Sequence, residues 1–357
     1  MNSHNNTEIS WINTLKATCI ILVVLFHVTL PGFENTIPLL STGRHIAQTW
    51  VIFNTYLSPF RMPVFFFISG LLASRSIITQ TWGELSKGRL LNLLYLYLLW
   101  CVIQWISVQY ILDIITGQKI SQNINAIYSL NFISFVRLIV TGMSSSWYLY
   151  ALLIYLIVSK IGRNKFLIFF MFSLVIHYIA VLKLIPYWGP QSILRYFIFY
   201  YIGANVSPLI MELTLLKFKN IFPWAMLFFG AAIHRISGLN QNIFESLLAI
   251  ILAIMFSRWI NRYSLMRKFN QLGYITLPIY VIHRILVELF GMISIQYAIE
   301  NKSFNHPFFS IVWASGYPVF ITAICCIMSL ILWKVSSHGI GLWLYGIRIK
   351  TGKTHAA

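Results

Sequence analysis

Carboxylates are nearly missing from this chain. Only eight of its 357 residues are Asp or Glu, against 26 Lys and Arg, and charged residues of both signs make up 10%. An ordinary soluble domain carries about 25% charged residues, so a surface that faces water all round is excluded. Cysteine is scarce as well. Cys19, Cys101, Cys325 and Cys326 all lie in apolar runs, with no C-x-x-C pair and no histidine at metal spacing. They read as small core residues, and neither a disulfide framework nor a metal site is expected. The two halves share no matched broken segments of the kind that inverted-repeat transporters carry. Gly, Ser and Pro are scattered, so no disordered linker is read. No mitochondrial presequence is visible, and no soluble domain is expected at either end.

What fills the chain instead is apolar: 58% of it is hydrophobic and 16% aromatic. A helix needs about 20 mostly apolar residues to cross a bilayer. Ten such runs are predicted, at 11–31, 47–74, 90–112, 147–159, 166–182, 193–211, 221–234, 243–257, 272–297 and 308–333. The second is long enough to be two pieces, while the fourth and seventh are short. The fold class is therefore an all-α polytopic membrane protein of about ten helices, forming a single domain over residues 1–357. The first run is taken as a retained signal anchor.

The positive charges orient this bundle. Sixteen of the 26 Lys and Arg fall in one set of connecting segments, including Lys87, Arg89, Lys160, Lys217, Lys219, Arg348, Lys350 and Lys353, and seven in the other set. Cytoplasmic loops carry the excess, which predicts that both termini are cytoplasmic. The formal net charge of +18 is then a matter of topology, and no nucleic-acid partner is inferred. The longest polar segment, 113–146, falls outside and is expected to hold an amphipathic helix near 133–140.

Ionisable groups within apolar runs are costly, and they usually mark function. Lys16 and His27 are eleven residues apart. Eleven steps of about 100° end about 20° past three turns, so both side chains leave one helix face, separated by a rise of about 16 Å. Either residue alone can be structural, with Lys16 snorkelling and His27 bonding a carbonyl. In "SPFRMPVFFFISGLLASR" (58–75), Pro59 and Pro63 flank Arg61, which predicts a broken or just-starting helix there. An arginine at such a break suits an anion or a developing oxyanion, and also suits outer headgroups. Ser69 and Gly70 would allow close helix approach. In "LGYITLPIYVIHRILVELF" (272–290), Arg284 and Glu288 are spaced i, i+4 and most simply form a buried structural pair. His283 faces elsewhere, as a packing residue or a second functional one. In "SSSWYLYALLIYLIVSK" (144–160), Ser144, Ser145 or Ser146 is expected to cap the helix. Trp147, Tyr148 and Tyr150 there suit either an interface belt or sugar rings. Lys87 and Arg89, in "SKGRLLNLLYLYLLW", suit anchoring or phosphate binding.

These motifs together resemble the acyltransferase 3 family of bacterial inner-membrane proteins. The likeness rests on the basic residue, ten intervening residues and histidine of the first run, then on "FRMPVFFFISGLL", "KGRLL", "SSSWYLYALLIYL" and "PIYVIHRILVE", and spans about residues 10–335. It is nearest to small members with no appended soluble domain. The resemblance implies ten membrane helices and transfer of an acyl group, usually acetyl, from cytosolic acetyl-CoA to a hydroxyl of a glycan or similar acceptor at the outer face of the inner membrane. The family's first basic residue is normally arginine; here it is Lys16, a point charge without the bidentate fork.

On that basis, His27 is expected to be the general base and Arg61 the oxyanion stabiliser. Lys16, Lys87 and Arg89 are expected at the acyl-CoA, and Trp147, Tyr148 and His283 at the acceptor, with the 113–146 segment helping to select it. No permanently bound cofactor is expected. The chief alternative is a transporter or flippase of a lipid-linked or glycan substrate, whose intramembrane charges would form gating pairs; a third is a non-catalytic scaffold in an envelope complex, which would tolerate His27→Gln.

Overall fold

Prolines and close-packed glycines set where these helices start, stop and touch. In the computed structural model, which describes residues 3–214, 221–239, 242–263 and 266–347, there is no strand among the described residues. The α-helices are α1 (Ser3–Val28), α2 (Arg44–Tyr56), α3 (Ser58–Thr79), α4 (Trp82–Leu85), α5 (Leu91–Tyr110), α6 (Phe132–Val140), α7 (Trp147–Ile161), α8 (Phe166–Val181), α9 (Trp188–Asn205), α10 (Ser207–Leu213), α11 (Ile221–Ile236), α12 (Ile243–Ile260), α13 (Met266–Tyr274), α14 (Thr276–Glu300) and α15 (Pro307–Ser336). Pro31 drives Leu30 out of the helical region to φ −120°, ψ 124°, as a proline does to the residue before it. The chain therefore turns away three residues after His27. Pro59 falls in the first turn of α3, where its missing N–H costs nothing.

Among the described residues, six helical stretches are long and apolar enough to span a bilayer: Ser10–Leu39, Arg44–Thr79, Trp82–Thr116, Ile243–Ile260, Thr276–Glu300 and Pro307–Ser336. A seventh is added if α9 and α10, bent by 83°, count as one span. The expected run 47–74 is the α2–α3 pair, parted at Leu57, and the expected helix near 133–140 is α6. The expected run 272–297 begins as a span only at Thr276, after the separate α13. The runs 147–159, 166–182 and 221–234 became α7, α8 and α11, of 15, 16 and 16 residues. At about 1.5 Å per residue these are shorter than hydrocarbon about 30 Å thick. Lys217, Lys219, Arg348, Lys350 and Lys353 lie outside the described residues.

The tightest crossing is α3 on α9. A methyl added at Gly70 would sit 2.0 Å from the Tyr200 carbonyl oxygen, and one added at Gly203 would sit 2.1 Å from that of Phe67. Only glycine on both helices permits this approach, the usual device of helices packing in lipid. Phe66, fully buried, fills the space beside that crossing, its ring 4.9, 5.1 and 5.7 Å from those of Tyr148, Tyr155 and Tyr196. The outward faces are apolar too, with Ile106, Val175, Phe229 and Phe320 all more than half exposed. Such a surface is stable against lipid, not against water.

Candidate active site

Arg61 lies in the first turn of α3, where α2 has just ended and left terminal carbonyls without helical partners. Its Nη1 donates to the Asn54 carbonyl at 2.6 Å, so the break itself fixes the guanidinium. Asn54, fully buried, donates in turn to Thr29 Oγ1 at 3.2 Å, and Thr29 donates to the Leu25 carbonyl at 2.7 Å. The start of α3 is thereby tied to the end of α1. The Arg61 guanidinium also lies 4.4 Å from the centre of the Phe26 ring, a cation–π contact made stronger by burial. His27 is the next residue, and its ring centre is 5.3 Å from those of both Phe26 and His283.

His27 and Arg61 share the wall of a cavity of about 660 Å³, the size of a small-molecule site. Trp147, Tyr196, Tyr280 and Arg284 are on its helical wall as well, and Ser121, Asn123, Asn125 and Tyr128 of the 113–146 segment also line it. Three arginines (61, 195 and 284) and one carboxylate, Glu34, are on this wall, so the cavity favours developing negative charge.

The other expected residues divide between this cavity and other places. Trp147 is on the wall. Tyr148 is buried and stacked on Phe65 at 4.7 Å, with its hydroxyl 2.5 Å from Ser69 Oγ. His283, 1% exposed, packs against His27 and does not reach the wall. Lys16 is half-buried, Lys87 and Arg89 are exposed, and none of the three lines the cavity. Arg89 donates to the Leu72 carbonyl at 3.4 Å. Leu72 is eleven residues from Arg61, about 16 Å along α3. Because Phe26 of α1 meets Arg61 of α3, the two helices run in opposite directions from this end. Lys16 and Arg89 therefore share the far end of the bundle.

Serine capping of α7 is corrected. Ser146 sits at the cap position but makes no capping bond. The Tyr148 N–H donates to the Tyr280 hydroxyl at 3.1 Å instead, and Ser146 Oγ is spent on Gln104 Oε1 at 3.1 Å. A tyrosine from α14 thus satisfies the orphan donor that a serine was expected to take. The Arg284–Glu288 pair forms as spaced, at 2.6 Å, and it recruits a residue that the sequence did not suggest. The Tyr128 hydroxyl donates to Glu288 Oε1 and accepts from Arg284 Nη2 at 2.6 Å. Asn54 and Gln104 were also missed. Each is a fully buried amide inside an apolar run, a signal that a search restricted to ionisable groups passes over.

Fold and site define a helical membrane protein with a basic, histidine-containing cavity at the ends of its helices. The acyltransferase domain family matches residues 9–333, and the chain belongs to this acyltransferase 3 family. It is 30% identical over 353 residues to the inner membrane protein YcfT of Escherichia coli (strain K12), covering 94% of this chain and 95% of that protein. No solved structure matches it significantly. The chain is a multi-pass protein of the bacterial inner membrane, with acyl transfer supported at the level of the family.

Proposed function

We propose that this protein moves an acyl group, in the simplest case acetyl, from cytosolic acyl-CoA to a hydroxyl of a glycan or similar envelope acceptor at the outer face. The observation that carries this is the joint presence of His27 and Arg61 on one cavity wall, at the end of α1 remote from Lys16. Ten crossings with both termini cytoplasmic are part of the proposal, with α7, α8, the bent α9–α10 pair and α11 added to the six long spans. The CoA phosphates meet Lys16, Lys87 and Arg89 at the cytoplasmic end, and the acyl arm runs along α1 to His27. His27 takes the proton of the acceptor hydroxyl as its oxygen attacks the thioester carbonyl. Arg61 holds the oxyanion. Collapse breaks the carbon–sulfur bond, the CoA thiolate leaves with the proton from His27, and the new ester departs outward. Trp147 offers the acceptor a flat face.

The test is calorimetry of acetyl-CoA on the detergent-purified protein, followed by thiol release on addition of acceptor. Micromolar binding that weakens in Lys16→Ala and Lys87→Ala, with thiol release lost in His27→Gln, supports the proposal. Absence of binding to acetyl-CoA, succinyl-CoA and CoA, by heat and by thermal stabilisation, defeats it and favours a transporter whose charges line a path.

A further inference from the structure

His283 has a use that packing does not explain. Its Nδ1 lies 2.6 Å from the Tyr280 carbonyl oxygen and 3.1 Å from that of Ile279. Carbonyls only accept, so Nδ1 carries the hydrogen, and Nε2 is left with a lone pair. That Nε2 is buried and has no hydrogen-bond partner. A buried acceptor left unpaired costs about 1–3 kcal/mol, so it calls for an explanation. The group beside it is His27, with ring centres 5.3 Å apart and planes tilted by 35°. Two imidazoles at that spacing can bring facing nitrogens to about 3 Å, a hydrogen-bond length. The His27 ring is held by ring packing against Phe26 and His283, and a turn about its side-chain torsions, or one bridging water, joins the pair.

We propose that His283 is the positioning residue for His27: its Nε2 accepts the N–H of one His27 nitrogen, directly or through one water, and aims the other nitrogen at the cavity. A neutral imidazole thereby takes the orienting place that a carboxylate fills in other base-and-orienter pairs. The surroundings explain why a neutral group serves. Arg61 and Arg284 share the wall with His27, and the carboxylate of Glu288 is already held by Arg284 and Tyr128. The catalytic role rests on the acyl-transfer proposal; the fixed tautomer of His27 does not.

The experiment is therefore two measurements on the full chain in lipid nanodiscs. Histidine ring 15N NMR, assigned with His27→Gln and His283→Gln, should show His283 as the Nδ1–H form and His27 as a single neutral tautomer. In His283→Leu that His27 pattern should become a mixture. Turnover with acetyl-CoA should fall about tenfold to a hundredfold in His283→Leu, with KM for acetyl-CoA unchanged. His283→Gln, which keeps an acceptor near the same point, should recover most of the rate. A His27 spectrum that is already mixed in the wild type, or is unchanged in His283→Leu, overturns the proposal whatever the kinetics show. A single tautomer that shifts in His283→Leu, in a wild-type protein that transfers no acyl group, keeps the pair and removes the acyl-transfer proposal instead.

Discussion

Replacing Glu288 with alanine should be among the most damaging single changes in this protein, and the structure gives the size of the effect. Glu288 is fully buried and Arg284 is 5% exposed. Removing the carboxylate leaves the largely buried guanidinium on the cavity wall without its counter-charge, which costs about 3–5 kcal/mol. The Tyr128 hydroxyl keeps its bond from Arg284 but loses its own acceptor, adding about 1 kcal/mol. The Ile120 N–H contact, at 3.4 Å, is too long to add much. The predicted loss is thus about 4–6 kcal/mol, most of the stability of many domains. The triple variant Tyr128→Phe, Arg284→Met, Glu288→Leu removes the three polar side chains of the network together, refills the space and leaves only the weakly bound Ile120 N–H behind. It should lie within about 1.5 kcal/mol of wild type. Denaturant titration in mixed micelles, followed by tryptophan fluorescence, gives both numbers. Proteolysis of the 113–131 segment, which Tyr128 and Ile120 fasten to α14, should rise only in the single variant. If Glu288→Ala costs under about 1 kcal/mol, or if the triple variant is as unstable as the single one, the network does not behave as a buried charge pair.

Other expectations are more local. Arg61→Lys keeps the charge but not the fork, so turnover should drop about a hundredfold with acetyl-CoA binding intact; equal rates would remove the oxyanion role. Gly203→Ala forces a methyl against the Phe67 carbonyl and should lower stability by about 1–3 kcal/mol in the same titration. Trp147→Ala should raise KM for the acceptor and leave that for acetyl-CoA unchanged, which steady-state kinetics with each substrate varied will decide.

The readings that depend on periodicity and on proline were legible in the sequence. Lys16 and His27 fall on one stripe of α1 because 3.6 residues per turn allow nothing else over eleven positions. Arg61 could be placed at a helix start because Pro59 and Pro63 leave little choice. The Arg284–Glu288 pair follows from its spacing. What could not be read are the contacts that bring distant residues together. Tyr128 sits in a segment with no periodicity, and nothing local says that its hydroxyl reaches across 160 positions to Glu288. The serine run before α7 looked like a cap, because local rules favour serine there. Tyr280 took the bond from another helix, and no local rule can anticipate that. Helix length was legible too: the runs at 147–159 and 221–234 read as short, and α7 and α11 have 15 and 16 residues, while α8 also has 16.

The location of the cavity follows from where the backbone becomes irregular. Free N–H and C=O groups are tolerated at membrane depth only when they line a cavity or are bonded by protein. Pro31 ends α1 just past His27, and the α2–α3 break falls just before Arg61. These two interruptions meet at Phe26, and the carbonyl freed by one of them is the acceptor that holds the Arg61 guanidinium. The histidine, the arginine and the opening of the cavity are therefore one consequence of prolines on two adjacent helices. Lys16 lies three turns below on unbroken helix, where no backbone group is free to orient it. Lysine in place of the family's arginine is tolerable at that position if only charge is required there, and would not be at position 61, where the planar donor fork must reach a carbonyl and the cavity together.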